Sequence, residues 1–153
     1  NMKLALNGAL TIGTWDGANI EMAEAIGREH FFLFGLDADQ ITALRAQGYT
    51  PRQHYEQEPT LRRVLDAIAS GTFSPGDEHR YRNLVEALLH RDAYLLLADF
   101  ADYLRAQARV DLRFRQPDRW AELAILNIAG MGRFSSDRTI REYAHNIWGM
   151  PCR

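Results

Sequence analysis

Leu10-Thr11-Ile12-Gly13-Thr14, then Ala18 to Ile26, then Phe31-Phe32-Leu33-Phe34-Gly35: the reading of this span of 26 residues, Leu10 to Gly35, decides the fold. The first segment predicts a short strand entered through Asn7-Gly8, a turn dipeptide because both residues tolerate positive φ. After a turn at Trp15-Asp16-Gly17, Ile20, Ala23 and Ile26 recur at near-helical spacing, and Gly27 stops the helix. Phe31 to Gly35 is a continuous apolar run of strand length, the pattern of a strand buried on both faces. Strand, helix and strand together predict a compact βαβ unit with a right-handed crossover.

Outward from this unit the pattern is helical. Asp37 and Gln40 have capping-box spacing, Ile41 and Leu44 supply an apolar face, and Gly48 ends that helix. Thr50-Pro51-Arg52-Gln53 predicts another start, with a Thr cap and Pro at the first helical position. Pro59 opens a helix with Leu61, Val64, Leu65 and Ile68 on one face, ended by Ser70-Gly71. Tyr81, Leu84, Val85, Leu88 and Leu89 mark the next. Tyr94 to Ala98 reads equally as a third strand or as the first turn of a long helix through Phe100, Tyr103, Leu104, Val110 and Phe114. Pro117-Asp118 starts a helix with Trp120, Leu123, Ala124 and Ile128 inward and Gly130 as its stop. The last helix opens at Ser135-Ser136-Asp137 and closes at Gly149, with Pro151 beyond. The expectation is an α/β beginning, residues 1–36, and a helical remainder, residues 37–153. Two or three strands make a poor sheet alone, so this pattern is expected of part of something longer, as is a start at Asn1-Met2-Lys3 with no signal-peptide pattern.

The 153 residues are about one domain's worth, and 46% hydrophobic with 25% charged residues is ordinary globular composition. No apolar run approaches the ~20 residues of a membrane span. A net charge of −2 gives no electrostatic case for nucleic acid or an anionic membrane. The single cysteine, Cys152, cannot form an internal disulfide, and a reducing cytoplasm is the expected home. Of 18 basic residues only Lys3 is a lysine.

Few residues stand out for chemistry. His30, His54, His79, His90 and His145 show no metal-ligand spacing, no Gly-x-Ser-x-Gly elbow is present, and the carboxylates read as solvated helix faces. Gly8, Gly13 and Gly17 match no phosphate-binding fingerprint and read as turn residues. Phe134-Ser135-Ser136-Asp137-Arg138 could hold an anion at a helix start, but the same residues are what an N-cap requires. A lone lysine such as Lys3 ordinarily reads as a solvated charge.

Asn1-Met2-Lys3-Leu4-Ala5-Leu6-Asn7-Gly8-Ala9-Leu10-Thr11-Ile12-Gly13-Thr14, followed by Asp16-Gly17-Ala18-Asn19-Ile20-Glu21-Met22, closely resembles the glycogen (α-glucan) phosphorylases, nearest the bacterial type. The likeness continues through Phe31 to Gly35, Gln47-Gly48-Tyr49, Ser70 to Pro75, Leu97 to Phe100, Phe134 to Ile140, Tyr143-Ala144 and Ile147 to Gly149, and so spans the chain. Trp15 departs from the Leu usual in the family.

The resemblance implies that Lys3 is the Schiff-base lysine that holds pyridoxal 5′-phosphate, behind a Gly-Thr-Gly loop that would precede Asn1. It implies the C-terminal part of the second Rossmann-like, cofactor-binding domain of a GT-B glycosyltransferase. The activity implied is cleavage of terminal α-1,4 bonds of glycogen by orthophosphate, with retention, releasing glucose 1-phosphate. The cofactor phosphate would be general acid and base, and the complete enzyme would be a cytoplasmic homodimer. On the residues alone, a non-catalytic α/β-helical interaction module stays open as the alternative.

Overall fold

The computed structural model describes residues 1–150, so Pro151 and Cys152, and the expectations attached to them, lie outside the described residues. The chain divides into two compact units, residues 1–33 with 106–153, and residues 34–105. No helix among the described residues is long and apolar enough to cross a membrane.

The first unit contains the βαβ element. Strand β1 (Ile12–Gly13) pairs in parallel with β2 (Phe32–Leu33), Ile12 opposite Phe32 and Gly13 opposite Leu33. The pairing matches the expectation, but each strand is two residues long rather than five. Only Phe31 of the apolar run is buried; Phe32, Leu33 and Phe34 are half-buried, because β1 is the sole strand beside β2 among the described residues. Before β1 lies a helix the sequence reading did not assign, α1 (Met2–Leu6), and between the strands lies α2 (Gly17–Ile26), ended as expected at Gly27 in a left-handed conformation of φ +93°. Ala5, Met22, Ala23, Phe31 and Met131 form this unit's core.

Helix α8 (Pro117–Met131) packs on α1 and α2, and here two expectations fail. Ile128 is 43% exposed, and the buried positions are instead Asn127 and Met131. Asn127 donates from Nδ2 to the Ala9 carbonyl at 2.6 Å, so a polar side chain takes the inward place by satisfying a backbone acceptor. Gly130 does not stop the helix. Its missing side chain admits the end of α2: a Cβ there would lie 2.5 Å from Ile26 Cγ2 and 3.0 Å from the Ala25 carbonyl oxygen. Gly130→Ala is therefore expected to destabilise the fold by about 1–2 kcal/mol, overpacking outweighing the ~1 kcal/mol gain in helix propensity. A urea midpoint that rises in the variant would contradict this.

The second unit is helical: α3 (Ala38–Ala46), α4 (Pro51–Gln57), α5 (Pro59–Ala69) and α6 (Arg82–His90). The box at Asp37 and Gln40 forms in both directions. The Thr50 cap does not: its hydroxyl turns back to donate to the Gly48 carbonyl at 3.3 Å, and Pro51 alone marks the start of α4. Leu61, Leu65 and Leu97 make this unit's core, with Leu88, Leu89 and Phe100 packed on it, while Val64 is 41% exposed. Tyr94 to Ala98 is not a strand; it leads into α7 (Leu96–Phe114), a continuous helix whose residues from Ala106 belong to the first unit. A last helix, α9 (Ser136–Asn146), closes at Ile147, before Gly149.

Candidate functional site

Lys3 sits on α1, exposed. Two features hold that short helix still. Ala5 points into the core and is fully buried, while Asn1 caps the helix by accepting from Met2 N at 2.9 Å. The Asn1 amide also donates to Asn19 Oδ1 at 3.0 Å, and Asn19 in turn donates to the Thr14 carbonyl at 3.1 Å. Asp16, at the start of α2, accepts from Thr14 Oγ1 at 3.0 Å instead of capping its helix. At the other end of α1, Asn7 Nδ2 donates to the Lys3 carbonyl at 2.7 Å. The residues of Asn1-Met2-Lys3 and of Asp16-Gly17-Ala18-Asn19, 18 positions apart, thus form one hydrogen-bonded brace whose product is a fixed backbone under an accessible amine. Gly13 has a part in it: a Cβ at that position would come within 2.7 Å of Asn19 Nδ2. The family resemblance singled out Lys3, and no residue-level signal pointed to Asn1 and Asn19 as its supports, because two asparagines far apart in sequence carry no periodic signal.

A primary amine on a solvent-reachable helix has the chemistry to bond an aldehyde covalently, as a tether for pyridoxal phosphate requires. The same unit offers an open cleft of about 360 Å3 lined by Met2, Glu21, Arg133, Phe134, Arg138 and Thr139. It is not an anion cradle at Arg138. Ser135 Oγ accepts from Arg138 N at 3.1 Å as an ordinary cap, and the Arg138 guanidinium is spent on Glu142 at 2.7 Å and the Arg133 carbonyl at 2.6 Å. Gly8 likewise serves a turn at φ +85°, against Ile128 and Ala124 of α8. Among the described residues no group of His, Cys, Asp or Glu could hold a metal.

The carboxylates are not all solvated, contrary to the sequence reading. In the second unit Asp92 is 4% exposed and accepts from Leu96 N at 2.9 Å, Leu97 N at 2.8 Å and Tyr49 Oη at 2.6 Å. It is the cap that decides Tyr94 to Ala98 for helix. Burial, the bond to Asp92 and that carboxylate's charge together push the Tyr49 phenol far above its ordinary range, which keeps it a donor. Asp99 accepts from Leu36 N at 2.9 Å and Asp102 from Gly35 N at 2.7 Å, so α7 clamps the turn that follows β2. Burial pushes the Asp99 carboxyl up, the Leu36 N–H opposes this, and the charges of Asp102 and Asp92 raise it further. Gly35, at φ +84°, lets the turn approach: a Cβ would lie 2.8 Å from Asp99 Oδ2. These carboxylates position backbone.

Comparison with known proteins accords with the motif. The family model for carbohydrate phosphorylase matches residues 1–150. A glycogen phosphorylase of Synechocystis sp. is 51% identical over 150 residues, 98% of this chain and 18% of that protein. The brain form of glycogen phosphorylase of Pongo abelii is 49% identical and the muscle form of Bos taurus 46% identical, each over the same shares. The chain therefore spans 18% of the length of these relatives.

Proposed function

The chain belongs to the carbohydrate phosphorylase family, and from that premise we propose that it is the lysine-bearing segment of a pyridoxal-phosphate-dependent α-glucan phosphorylase. The complete protein would cleave terminal α-1,4 bonds with orthophosphate, with retention, and release glucose 1-phosphate. The segment would be the C-terminal part of the second Rossmann-like domain of a GT-B enzyme that works as a cytoplasmic homodimer. The observation that carries the reading is the place of the chain's sole lysine: Lys3 stands exposed on a helix braced by the family motif itself.

Each residue then has a defined task. Lys3 holds the cofactor; when bound, that group supplies a phosphate able to pass a proton at the substrate phosphate. Asn1, Asn19 and Thr14 would hold the backbone of α1 beneath the tether, the kind of positioning that lowers a barrier without chemistry of its own. The 153 residues alone would not phosphorolyse glycogen, because the cleft of such an enzyme is formed between two domains.

Borohydride converts a lysine–pyridoxal linkage into a stable secondary amine that trypsin does not cut. In the full-length protein the labelled tryptic peptide should contain Lys3 and end at Arg28, the next tryptic site. A label recovered only on a peptide from elsewhere would overturn the assignment.

A further inference from the structure

Most arginines of this chain that form ion pairs do so at short range with a neighbour on their own helix or turn: Arg52 with Glu56, Arg80 with Asp77, Arg105 with Asp102, Arg138 with Glu142. Among the described residues, several arginines of the first unit form no such pair, and three of these share one cleft. Arg28, Arg109 and Arg113 line one open cleft of about 830 Å3, and among the described residues none is within ion-pair distance of a carboxylate. Each is instead fixed by a neutral group. Arg28 lies over the Trp15 ring, 4.2 Å from its centre. Arg109 donates to the Leu33 carbonyl, and Arg113 to Gln116 Oε1 at 3.2 Å. The guanidiniums are thereby oriented without being neutralised.

The only carboxylate lining the cleft among the described residues is Glu29, 3.5 Å from His30 Nε2. Three cations less one anion leave an excess of two positive charges in a chain whose net charge is −2. Apart from Gln116, the rest of the wall is apolar, with Phe32 and Leu33 half-buried and Leu112 exposed to 66%.

We propose that this cleft binds a small phosphomonoester, its dianion between Arg28 and Arg113 and its carbon skeleton on Phe32, Leu33 and Leu112. A dianion matches the excess charge, which a monocarboxylate would leave half-compensated. The planar, permanently charged guanidinium suits phosphate oxygens in pairs. The volume falls within the range of small-molecule sites. A local excess of two charges in a chain of net charge −2 is unsuited to a polyanion such as nucleic acid. Arg109 is a positioning residue, holding β2 through the Leu33 carbonyl. The site shares no residue with Lys3 or its brace and stands or falls independently of the cofactor assignment.

The test uses the full-length protein labelled with 5-fluorotryptophan, the Trp15 signal being assigned by Trp15→Phe. Phenyl phosphate is expected to shift that signal saturably, phenol not at all, and inorganic phosphate only at concentrations at least ten times higher. Arg28→Gln combined with Arg113→Gln should weaken phenyl phosphate at least tenfold while leaving the melting temperature unchanged; Arg113→Gln alone, which keeps the Trp15 stack, should weaken it in the same direction. An unshifted signal, an equal response to phenol or inorganic phosphate, or an affinity indifferent to both variants overturns the proposal.

Discussion

Lys3→Arg in the full-length protein is expected to lower glucan phosphorolysis by a factor on the order of 10² or more, the scale of a lost positioning contribution, and to leave no covalently bound pyridoxal. The substitution keeps the positive charge and a long aliphatic stem but replaces an amine that can lose its proton with a guanidinium that stays protonated. It thus separates a covalent role from an electrostatic one. The fold should be indifferent, because Lys3 is exposed and surface changes of this kind usually fall within ~0.5 kcal/mol. Lys3→Ala should be as inactive. Phosphorolysis rates and the pyridoxal content of acid-precipitated protein measure both. An active Lys3→Arg protein with cofactor still attached would place the tether elsewhere.

Asp92→Ala is expected to be the most damaging substitution in the second unit, at about 3–5 kcal/mol. It strands the N–H groups of Leu96 and Leu97 and the Tyr49 hydroxyl, all of which the one buried carboxylate satisfies. Position 92 also has φ +32°, a left-handed conformation that Asp tolerates better than Ala. The contrast is Asp99→Asn. An amide oxygen can still accept from Leu36 N, and the buried charge facing Asp102 and Asp92 is gone. Because the folded-state pKa of Asp99 is raised, the folded protein holds that proton more tightly than the unfolded chain. Its contribution to stability is therefore lost as pH rises from the ordinary carboxylate range through the raised value. Asp99→Asn should leave stability at neutral pH within ~1 kcal/mol of the parent and flatten that weakly acidic slope. Denaturant midpoints across pH read both variants, and an Asp92→Ala midpoint equal to that of Asp99→Asn would contradict the reading.

The helix punctuation was legible because it is local. Asp37 with Gln40, Pro51, Pro59, Gly27 and Ser135 mark ends through bonds or φ constraints spanning three or four residues, and the structure honours each. The parallel pairing of the two strands was legible from two strand-length segments flanking one helix, and its register was not. Thr50 shows the limit of even local rules: its hydroxyl had two acceptable partners, and the turn at Gly48 won.

What sequence by itself determined is the strand–helix–strand order, most of the helix boundaries and the family motif, all of which depend on residue type and short spacing. Tertiary structure alone decided that Gly130 is a point of close approach rather than a stop, that Asn127 lies inward where Ile128 was expected, and that Asn1 reaches Asn19. It also decided that Asp92 and Asp99 are buried while neighbouring carboxylates are not. The physical reason is common to these cases. Burial and hydrogen-bond satisfaction depend on what approaches from distant parts of the chain: Asn127 lies inward where the Ala9 carbonyl meets its Nδ2, although its Oδ1 is buried without a partner among the described residues.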